Sequence, residues 1–447
     1  MVGKSCVPRY VASRIRAGAL VLTIGGITST VTWCASPIAT QPAAAQPVAR
    51  ASAAAEPNST TESTAPAATA QAAKLKIDAD FPGGNIIVER IEGDTVFLRQ
   101  DLRDTQGHWF YWSMRVRGAA GRTLTFQFTN GDVLTRRGPA YSLDGGRTWA
   151  FLADNHPETR RFQFTFPPQA DEVCFCTAIP YVEDDLKRFL RRHEGSKHLR
   201  VEELTRSRKG RSVERLHVGR LDGEPDVRVL LTCRHHACEM MASWVLEGIL
   251  DAVLADDETG RWYRQHVELL AVPFMDKDGV EEGDQGKNRK PHDHNRDYLD
   301  EPIYPEVAAL KRFVPEWSQG KLRAAFDLHC PVLRGGGNEQ LVFVGSRYPA
   351  VWEEQKKFAE IVARINRGPL PYDPKNNMPY GVGWNRPAEP RSSSAWTGAL
   401  EGVRLAGTWE IPYGNAGGKA VTVESARSFG RTLAEALREY LDGTKTH

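Results

Sequence analysis

The chain has 447 residues, of which 41% are hydrophobic and 26% charged, and its formal net charge is +2 from 58 basic and 56 acidic side chains. This length provides for two domains and a sizeable core, and the composition is ordinary for a globular protein. The balanced charge argues against a general nucleic-acid or membrane-surface binder, because both functions need a marked basic excess.

The N-terminal region predicts export. Residues 1–45 begin with several basic side chains, continue with the apolar run AGALVLTIGGITSTV and end in small residues, which is the layout of a secretory signal peptide. The apolar run is too short and too rich in Gly and Thr for a membrane span. We therefore expect a secreted or periplasmic protein. A lipid anchor on Cys34 is the less favoured alternative, because Trp33 stands where a lipidation motif needs a small residue.

Residues 46–75 are mainly Ala, Pro, Ser and Thr, a composition that predicts a disordered linker. Two of the seven cysteines lie in the leader region, so five remain in the mature part. An odd number excludes complete intramolecular pairing, and we expect most of these cysteines to be buried free thiols.

Residues 76–181 show alternating apolar and polar side chains with tight-turn signals, as in HWFYWSMRVRG and RTLTFQFTNGD. Several short strands of this kind predict a small antiparallel β-sandwich domain. The domain could bind a partner or carbohydrate independently through aromatic residues such as Trp109 and Trp112, but strand core explains these residues equally well.

Residues 182–447 change to alternating helices and buried strands. The continuous apolar runs VRVLLTC, VELLAVPFM, LRAAFDLHC and EQLVFVG predict strands covered on both faces, and helical stretches such as EMMASWVLEGILDAVLA separate them. This pattern predicts an α/β domain with a mixed or mostly parallel sheet. Ligands of such sheets bind beyond the carboxyl ends of the strands.

His236 and Glu239 follow the strand VRVLLTC and precede a helix, so we place them on a strand-to-helix turn. Their spacing allows an imidazole and a carboxylate to bind one metal ion. The pair alone is weak evidence, since a helix-capping glutamate beside a hydrogen-bonded histidine explains it as well.

Two further strand ends strengthen the metal hypothesis. His329 ends LRAAFDLHC, and Asp327 points to the same face, where it can orient the imidazole. Glu410 ends the strand in RLAGTWEIPYGN between apolar neighbours, which predicts either a general base or a salt-bridged strand-end carboxylate.

A long polar stretch follows the strand VELLAVPFM at residues 276–298 and contains Arg289, Asn295 and Arg296. Loops of this length in a compact domain are usually functional, and arginine side chains suit bidentate capture of a carboxylate. His292 and His294 lie in the same stretch, where we expect hydrogen bonding or exposure rather than a second metal site.

These motifs together resemble the zinc metallocarboxypeptidases over about residues 80–440. The segment RHHACEMMASW is similar to the Arg-x-His-Pro-Gly-Glu-Thr motif of the cytosolic-carboxypeptidase-like branch, and KDGVEEGDQGKNRKPHDHNRDY is similar to its Asn-Pro-Asp-Gly-Val … Asn-Arg segment. HWFYWSMRV resembles a strand that precedes the catalytic domain in this branch. The resemblance implies a mixed-sheet α/β/α catalytic domain at residues 182–447, preceded by the β-sandwich.

The resemblance also implies roles for individual residues. His236, Glu239 and His329 would bind one zinc ion per chain, and Glu410 would be the general acid/base. Asn295 and Arg296 would hold the terminal carboxylate of a peptide, and Arg289 would polarise the scissile carbonyl group. The short spacing from Arg289 to Asn295 departs from the family pattern. Cys238 and Cys330 adjoin two of the ligands in sequence, depart from the family pattern and are not expected to bind the metal.

The implied function is that of a secreted zinc carboxypeptidase that removes C-terminal residues from peptides. Two alternatives remain open. A zinc amidase or acylase that acts on peptidoglycan-stem peptides or N-acyl amino acids would use the same ligands, and a degenerate peptide-binding protein would bind without cleaving. Side-chain specificity, the physiological substrate and the oligomeric state cannot be predicted from this sequence.

Overall fold

The computed structural model describes residues 74–153, 157–386 and 391–443, all within one compact unit that spans Thr69–His447. The predicted signal peptide, and residues 46–73 of the predicted linker, lie outside the described residues. Among those residues, no helix combines the length and the apolar character needed to cross a membrane.

The N-terminal part consists of nine strands in two sheets. In chain order these strands are β1 (Lys76–Asp78), β2 (Ile87–Glu92), β3 (Thr95–Arg99), β4 (Ser113–Arg117), β5 (Thr123–Phe128), β6 (Ala140–Ser142), β7 (Ala150–Phe151), β8 (Arg161–Thr165) and β9 (Glu172–Cys176). One sheet has the order β1-β4-β9-β6-β7 and the other the order β2-β3-β5-β8.

Aromatic rings from the two sheets contact each other. The ring centroid of Phe175 on β9 lies 5.5 Å from that of Phe126 on β5 and 5.4 Å from that of Phe162 on β8. Trp112, just before β4, is fully buried and belongs to the same core. One pair departs from the predicted antiparallel pattern: β3 and β5 run parallel, because the chain crosses to the other sheet for β4 between them.

The α/β part begins at α1 and contains the remaining nine strands and eight helices of the described residues. The helices are α1 (Glu183–Arg192), α2 (Met240–Leu254), α3 (Glu258–His266), α4 (Lys277–Glu282), α5 (Pro305–Ser318), α6 (Pro349–Ile365), α7 (Ser393–Thr397) and α8 (Val423–Gly443). The strands are β10 (Leu199–Arg206), β11 (Ser212–Gly219), β12 (Val227–Cys233), β13 (Val267–Val272), β14 (Leu322–His329), β15 (Val342–Val344), β16 (Leu405–Glu410), β17 (Asn415–Ala416) and β18 (Lys419–Ala420).

Seven of these strands form one mixed sheet in the order β10-β11-β13-β12-β14-β16-β15. The central strands β13, β12, β14 and β16 are parallel, whereas β10, β11 and β15 pair antiparallel with their neighbours. Every residue of β12, β13 and β16 is buried, as the apolar runs in the sequence predicted.

Helices cover both faces of this sheet. On β12, Val229 and Leu231 join a core that includes residues of α2 and α8, whereas Leu230 points the other way and joins a core with Val307 and Leu310 of α5. Because side chains alternate along a strand, this division requires a helical layer on each face. The predicted mixed-sheet α/β/α fold is confirmed.

Candidate metal centre

The candidate site lies at the carboxyl edge of the parallel strands. The strands β12, β14 and β16 are neighbours that run in the same direction, so their carboxyl ends meet there. His329, the last residue of β14, stands opposite Glu410, the last residue of β16, in the strand register. His236 and Glu239 occupy the turn between β12 and α2, next to this edge.

The turn after β12 is held by Arg234, which has a positive φ of 61°. A non-glycine residue in the left-handed region costs conformational energy, and surrounding contacts must offset it. The buried Arg234 guanidinium donates hydrogen bonds to the carbonyl of Tyr181 at 2.9 Å, the hydroxyl of Ser243 at 3.1 Å and the carbonyl of Ala237 at 3.0 Å. These contacts fix the turn that carries His236.

The side chains of His236, Glu239 and His329 converge. His236 Nδ1 lies 2.9 Å from Glu239 Oε1, His329 Nδ1 lies 2.6 Å from Glu239 Oε2, and the two Nδ1 atoms are 3.1 Å apart. Ligands bound at 2.0–2.1 Å around a tetrahedral zinc ion stand roughly 3.3 Å from one another. The observed separations of 2.6–3.1 Å are shorter than that value, so the ligand atoms would move apart slightly on binding a metal ion.

A carboxylate lies next to the other nitrogen of each imidazole, and that of Asp327 is hydrogen-bonded to its histidine. Asp327 Oδ2 lies 2.7 Å from His329 Nε2, and Asp293 Oδ1 lies 3.5 Å from His236 Nε2. Burial alone would raise the pKa of both aspartates, but the neighbouring histidines hold the pKa of each carboxyl below its usual range. The hydrogen bond to Asp327 directs His329 Nδ1 towards the shared centre, as carboxylates commonly do for metal-binding histidines, and Asp293 lies on the corresponding side of His236.

A second group of potential ligands, His235, Asp327 and His329, is also close together. Both ring nitrogens of His235 already have partners, because Nδ1 lies 2.8 Å from Asp327 Oδ1 and Nε2 lies 2.7 Å from the Tyr298 hydroxyl. This histidine therefore has no nitrogen left for a metal, and we assign it to the hydrogen-bond network that fixes Asp327.

Glu410 is buried, with 6% of its surface exposed, and its Oε2 atom has no hydrogen-bond partner among the described residues. Burial, followed by the charge of Glu239, raises the pKa of Glu410 to about 7. Carboxyls with a pKa near neutrality are suited to both accepting and returning a proton.

The residues present fit a divalent metal. Two imidazole nitrogens and one carboxylate form the donor set of an open catalytic zinc site, which keeps a position for water. Four carboxylates, those of Glu239, Asp293, Asp327 and Glu410, surround the point at which the donors meet. Buried carboxylates are stabilised by pairing with cations, and a bound metal ion would add to the charge of Lys287, whose Nζ lies 2.9 Å from Glu239 Oε1.

Six of the seven site residues predicted from the sequence line one cavity of about 910 Å³, and Glu239 is fully buried behind it. Asn295 Nδ2 lies 3.4 Å from His329 Nε2, and its Oδ1 accepts a hydrogen bond from the Ser393 backbone. Arg296 is exposed in the same cavity. The cavity also contains Tyr380 and the basic residues Arg347, Arg386 and Arg391.

Arg289 lines the cavity but is engaged elsewhere. Its guanidinium lies 2.8 Å from Asp104 Oδ2, 2.5 Å from Asp276 Oδ2 and 2.7 Å from Asp284 Oδ2. These three carboxylates occupy all of its nitrogen atoms, so Arg289 cross-links the loop that carries it. Its assignment as the carbonyl-polarising residue stays a prediction.

The other histidines and cysteines near the site have local partners. His292 Nε2 lies 2.6 Å from Asp297 Oδ1, and the His294 ring stacks on Tyr304 at a centroid distance of 3.6 Å. All five cysteines of the described residues are buried free thiols, as expected from their odd number. Burial raises the pKa of Cys238 to about 11, and its Sγ accepts a hydrogen bond from Trp109 Nε1 at 3.2 Å.

The cavity residues that were not identified from the sequence include Asp293, Lys287 and Trp109. Asp293 lies two residues before Asn295, and Lys287 lies two residues before Arg289. Both therefore belong to the polar stretch that the sequence indicated as functional. Their orientation cannot be predicted from a loop without periodicity. Trp109 comes from the N-terminal β-rich part, and its strand-like surroundings gave no sign of a site.

The comparison with solved structures decides the fold. A metallo-carboxypeptidase from Burkholderia cenocepacia superposes with a TM-score of 0.69 at 21% identity, covering 83% of this chain and 99% of that one. The chain has the metallocarboxypeptidase fold. A metallo-carboxypeptidase from Pseudomonas aeruginosa, in complex with (2-guanidinoethylmercapto)succinic acid, gives 0.68 at 22% identity over 82% of this chain and 99% of that one.

Relatives in sequence agree with this result. Cytosolic carboxypeptidase 3 of Mus musculus is 28% identical over 305 residues, which are 60% of this chain and 30% of that protein. The chain covers between 16% and 62% of the length of the curated relatives that it matches. No family model matches it. The resemblance to the metallocarboxypeptidases predicted from the sequence is confirmed.

Proposed function

We propose that this protein is a zinc-dependent metallocarboxypeptidase that hydrolyses the C-terminal peptide bond of peptide substrates. The observation that carries the proposal is the convergence of His236, Glu239 and His329 beside Glu410 at the edge of a large cavity. A zinc ion bound by these three residues would supply Lewis acidity and lower the pKa of water.

Glu410 is the proposed general acid/base. Its raised pKa allows the carboxylate to take a proton from the attacking water as the oxygen–carbon bond forms. The carbonyl electron pair then resides on oxygen until the carbon–nitrogen bond breaks. Glu410 returns the same proton to the leaving amine, so the reaction consumes one water and leaves Glu410 as it began.

Arg296 and Asn295 are the proposed residues that bind the free carboxylate of the substrate. Arg296 is an exposed residue that lines the cavity, and guanidinium groups bind carboxylates through two parallel hydrogen bonds. Arg347, Arg386 and Arg391 add positive charge to the same cavity, which supports an anionic substrate terminus. We further propose that the chain is exported, on the basis of its predicted signal peptide.

Paired substrates test this proposal. We expect the purified protein to cleave peptides with a free C-terminal carboxylate and to leave the same peptides intact when that carboxylate is amidated. Arg296→Met should raise KM for the free acids, whereas Arg312→Met on α5, outside the cavity, should not.

Other outcomes separate the alternatives. Equal cleavage of amidated peptides, or cleavage restricted to peptidoglycan-stem amides and N-acyl amino acids, would identify an amidase or acylase. Binding of peptides without cleavage by the zinc-loaded protein would identify a degenerate binding protein.

A further inference from the structure

Lys287 places a positive charge at the centre of the site. Its Nζ atom lies 2.9 Å from Oε1 of Glu239, one of the three proposed metal ligands. The side chain lines the cavity with His329 and Glu410, and 20% of its surface is exposed. An ammonium has three donors, so the contact with Glu239 leaves two for a ligand in the cavity.

The charge of Lys287 also acts on Glu410. Glu410 is paired with His329 in the strand register, and both residues line the cavity together with Lys287. The ammonium therefore stands within electrostatic reach of both the ligand cluster and the proposed acid/base. A charge in this position acts where negative charge develops during hydrolysis.

Lys287 is held from the N-terminal β-rich part. Its backbone carbonyl accepts a hydrogen bond of 2.8 Å from the Thr105 hydroxyl, and its Nζ lies 5.0 Å from the centroid of the Trp109 ring. Trp109 is itself fixed, because its indole N–H donates to Cys238 Sγ at 3.2 Å. The face of an aromatic ring attracts a cation, so this contact directs the ammonium.

Arg289, two residues further on, contacts three carboxylates, those of Asp104, Asp276 and Asp284, so its charge is compensated more fully than that of Lys287. We propose that Lys287, and not Arg289, is the catalytic residue whose positive charge stabilises the carbonyl oxygen as it becomes negative. This inference rests on the proposed peptidase function and assigns one of its roles to a residue in an unexpected position.

The test compares Lys287→Met with Lys287→Arg in the full chain. Removal of the charge should lower kcat by about 10²–10³-fold, the usual effect of losing one oxyanion donor, while KM for the peptide changes little. Affinity for a phosphinic peptide, whose tetrahedral anion imitates the reacting centre, should fall by a similar factor. Lys287→Arg should restore part of both losses.

Lys290→Met is the matched control, since Lys290 is exposed in the same loop and does not line the cavity. It should leave kcat, KM and inhibitor affinity as in the wild type. Zinc content should be unchanged in all three variants.

Three results would overturn the assignment. Loss of zinc from Lys287→Met would show that Lys287 positions the ligand Glu239. Unchanged kcat in Lys287→Met, with a large loss in Arg289→Met, would make Arg289 the stabilising cation. A zinc-loaded wild type that cleaves no peptide would refute the proposed function itself. An active wild type with the same kcat as Lys287→Met would refute only the role of Lys287.

Discussion

The strand ends that carry the proposed metal ligands and the loop of residues 283–298 line one cavity, but different contacts hold them in place. His329 and Glu410 are positioned by the register of β14 and β16 within a sheet of buried strands. The loop is positioned by Arg289 and its three carboxylates and by hydrogen bonds to the N-terminal part. Chemistry that needs fixed geometry is therefore built on the sheet, and the charge around it is set by the loop.

The largest effect is expected at the strand end, from Glu410→Gln. The amide cannot take a proton from water, so kcat should fall by about 10²–10⁴-fold. Zinc content should stay unchanged, because Glu410 is not one of the three converging ligands. Glu401→Gln, on an exposed residue just before β16, is the control, and activity within a few-fold of wild type in Glu410→Gln would contradict the proposed role.

Replacing the two carboxylates next to the histidines compares the contribution of the strand with that of the loop to zinc affinity. Asp327 on β14 contacts His329 at 2.7 Å, whereas Asp293 in the loop contacts His236 at 3.5 Å. Asp327→Asn should lower zinc affinity by about 10–100-fold, and Asp293→Asn should lower it less. Competition with a fluorescent chelator measures both, and the reverse order would show that the loop contributes more to ligand orientation.

The pH profile tests how the charge of Lys287, in the loop, changes the pKa of Glu410 at the end of β16. Burial raises the pKa of Glu410 to about 7, and its ionised form is the base, so kcat/KM should rise with pH and be lost as pH falls through this pKa. A bound metal dication favours the ionised form of Glu410 and moves the acidic limb of the kcat/KM profile to lower pH. Lys287→Met removes a charge that lowers the pKa of Glu410, so the limb should shift to higher pH. A shift of the acidic limb to lower pH in Lys287→Met would contradict the placement of the ammonium near Glu410.

The smallest effect is expected where the loop meets the N-terminal part. The Gln285 side chain accepts a hydrogen bond from Tyr111 N at 2.7 Å and donates one to Tyr111 O at 2.8 Å. Gln285→Ala leaves these buried groups unpaired and should lower the free energy of unfolding by about 1–3 kcal/mol. Urea unfolding measures it against Gln265→Ala, an exposed control on α3; equal stabilities would show that this contact does not hold the loop.

The difference between strand ends and loop also determines what the sequence could predict. Buried apolar runs located β12, β14 and β16, and parallel strands must end at a common edge, so His236, Glu239, His329 and Glu410 could be placed together from the sequence alone. The polar stretch 276–298 was predicted as a loop, yet it begins with α4, which Asp276 caps by accepting a hydrogen bond from Gly279 N.

Inside the loop, side-chain directions depend on partners far away in sequence. Gln285 and Tyr111 are 174 residues apart, and Asp104 belongs to the N-terminal β-rich part. No local pattern shows that Arg289 is neutralised while Lys287 faces the ligands. The predicted boundary at residue 181 between two domains stays a prediction, since both parts share one hydrophobic core.

Metal content measured by elemental analysis shows directly whether the three converging residues bind zinc. His329 belongs to both groups of potential ligands, so His329→Ala is measured beside His236→Ala and His235→Asn, which each affect one group, and beside His266→Ala at the opposite edge of the sheet. We expect about one zinc per chain in the wild type, His235→Asn and His266→Ala, and none in His236→Ala and His329→Ala. A folded, metal-replete wild type without zinc, or zinc retained in His236→Ala, would contradict this ligand set.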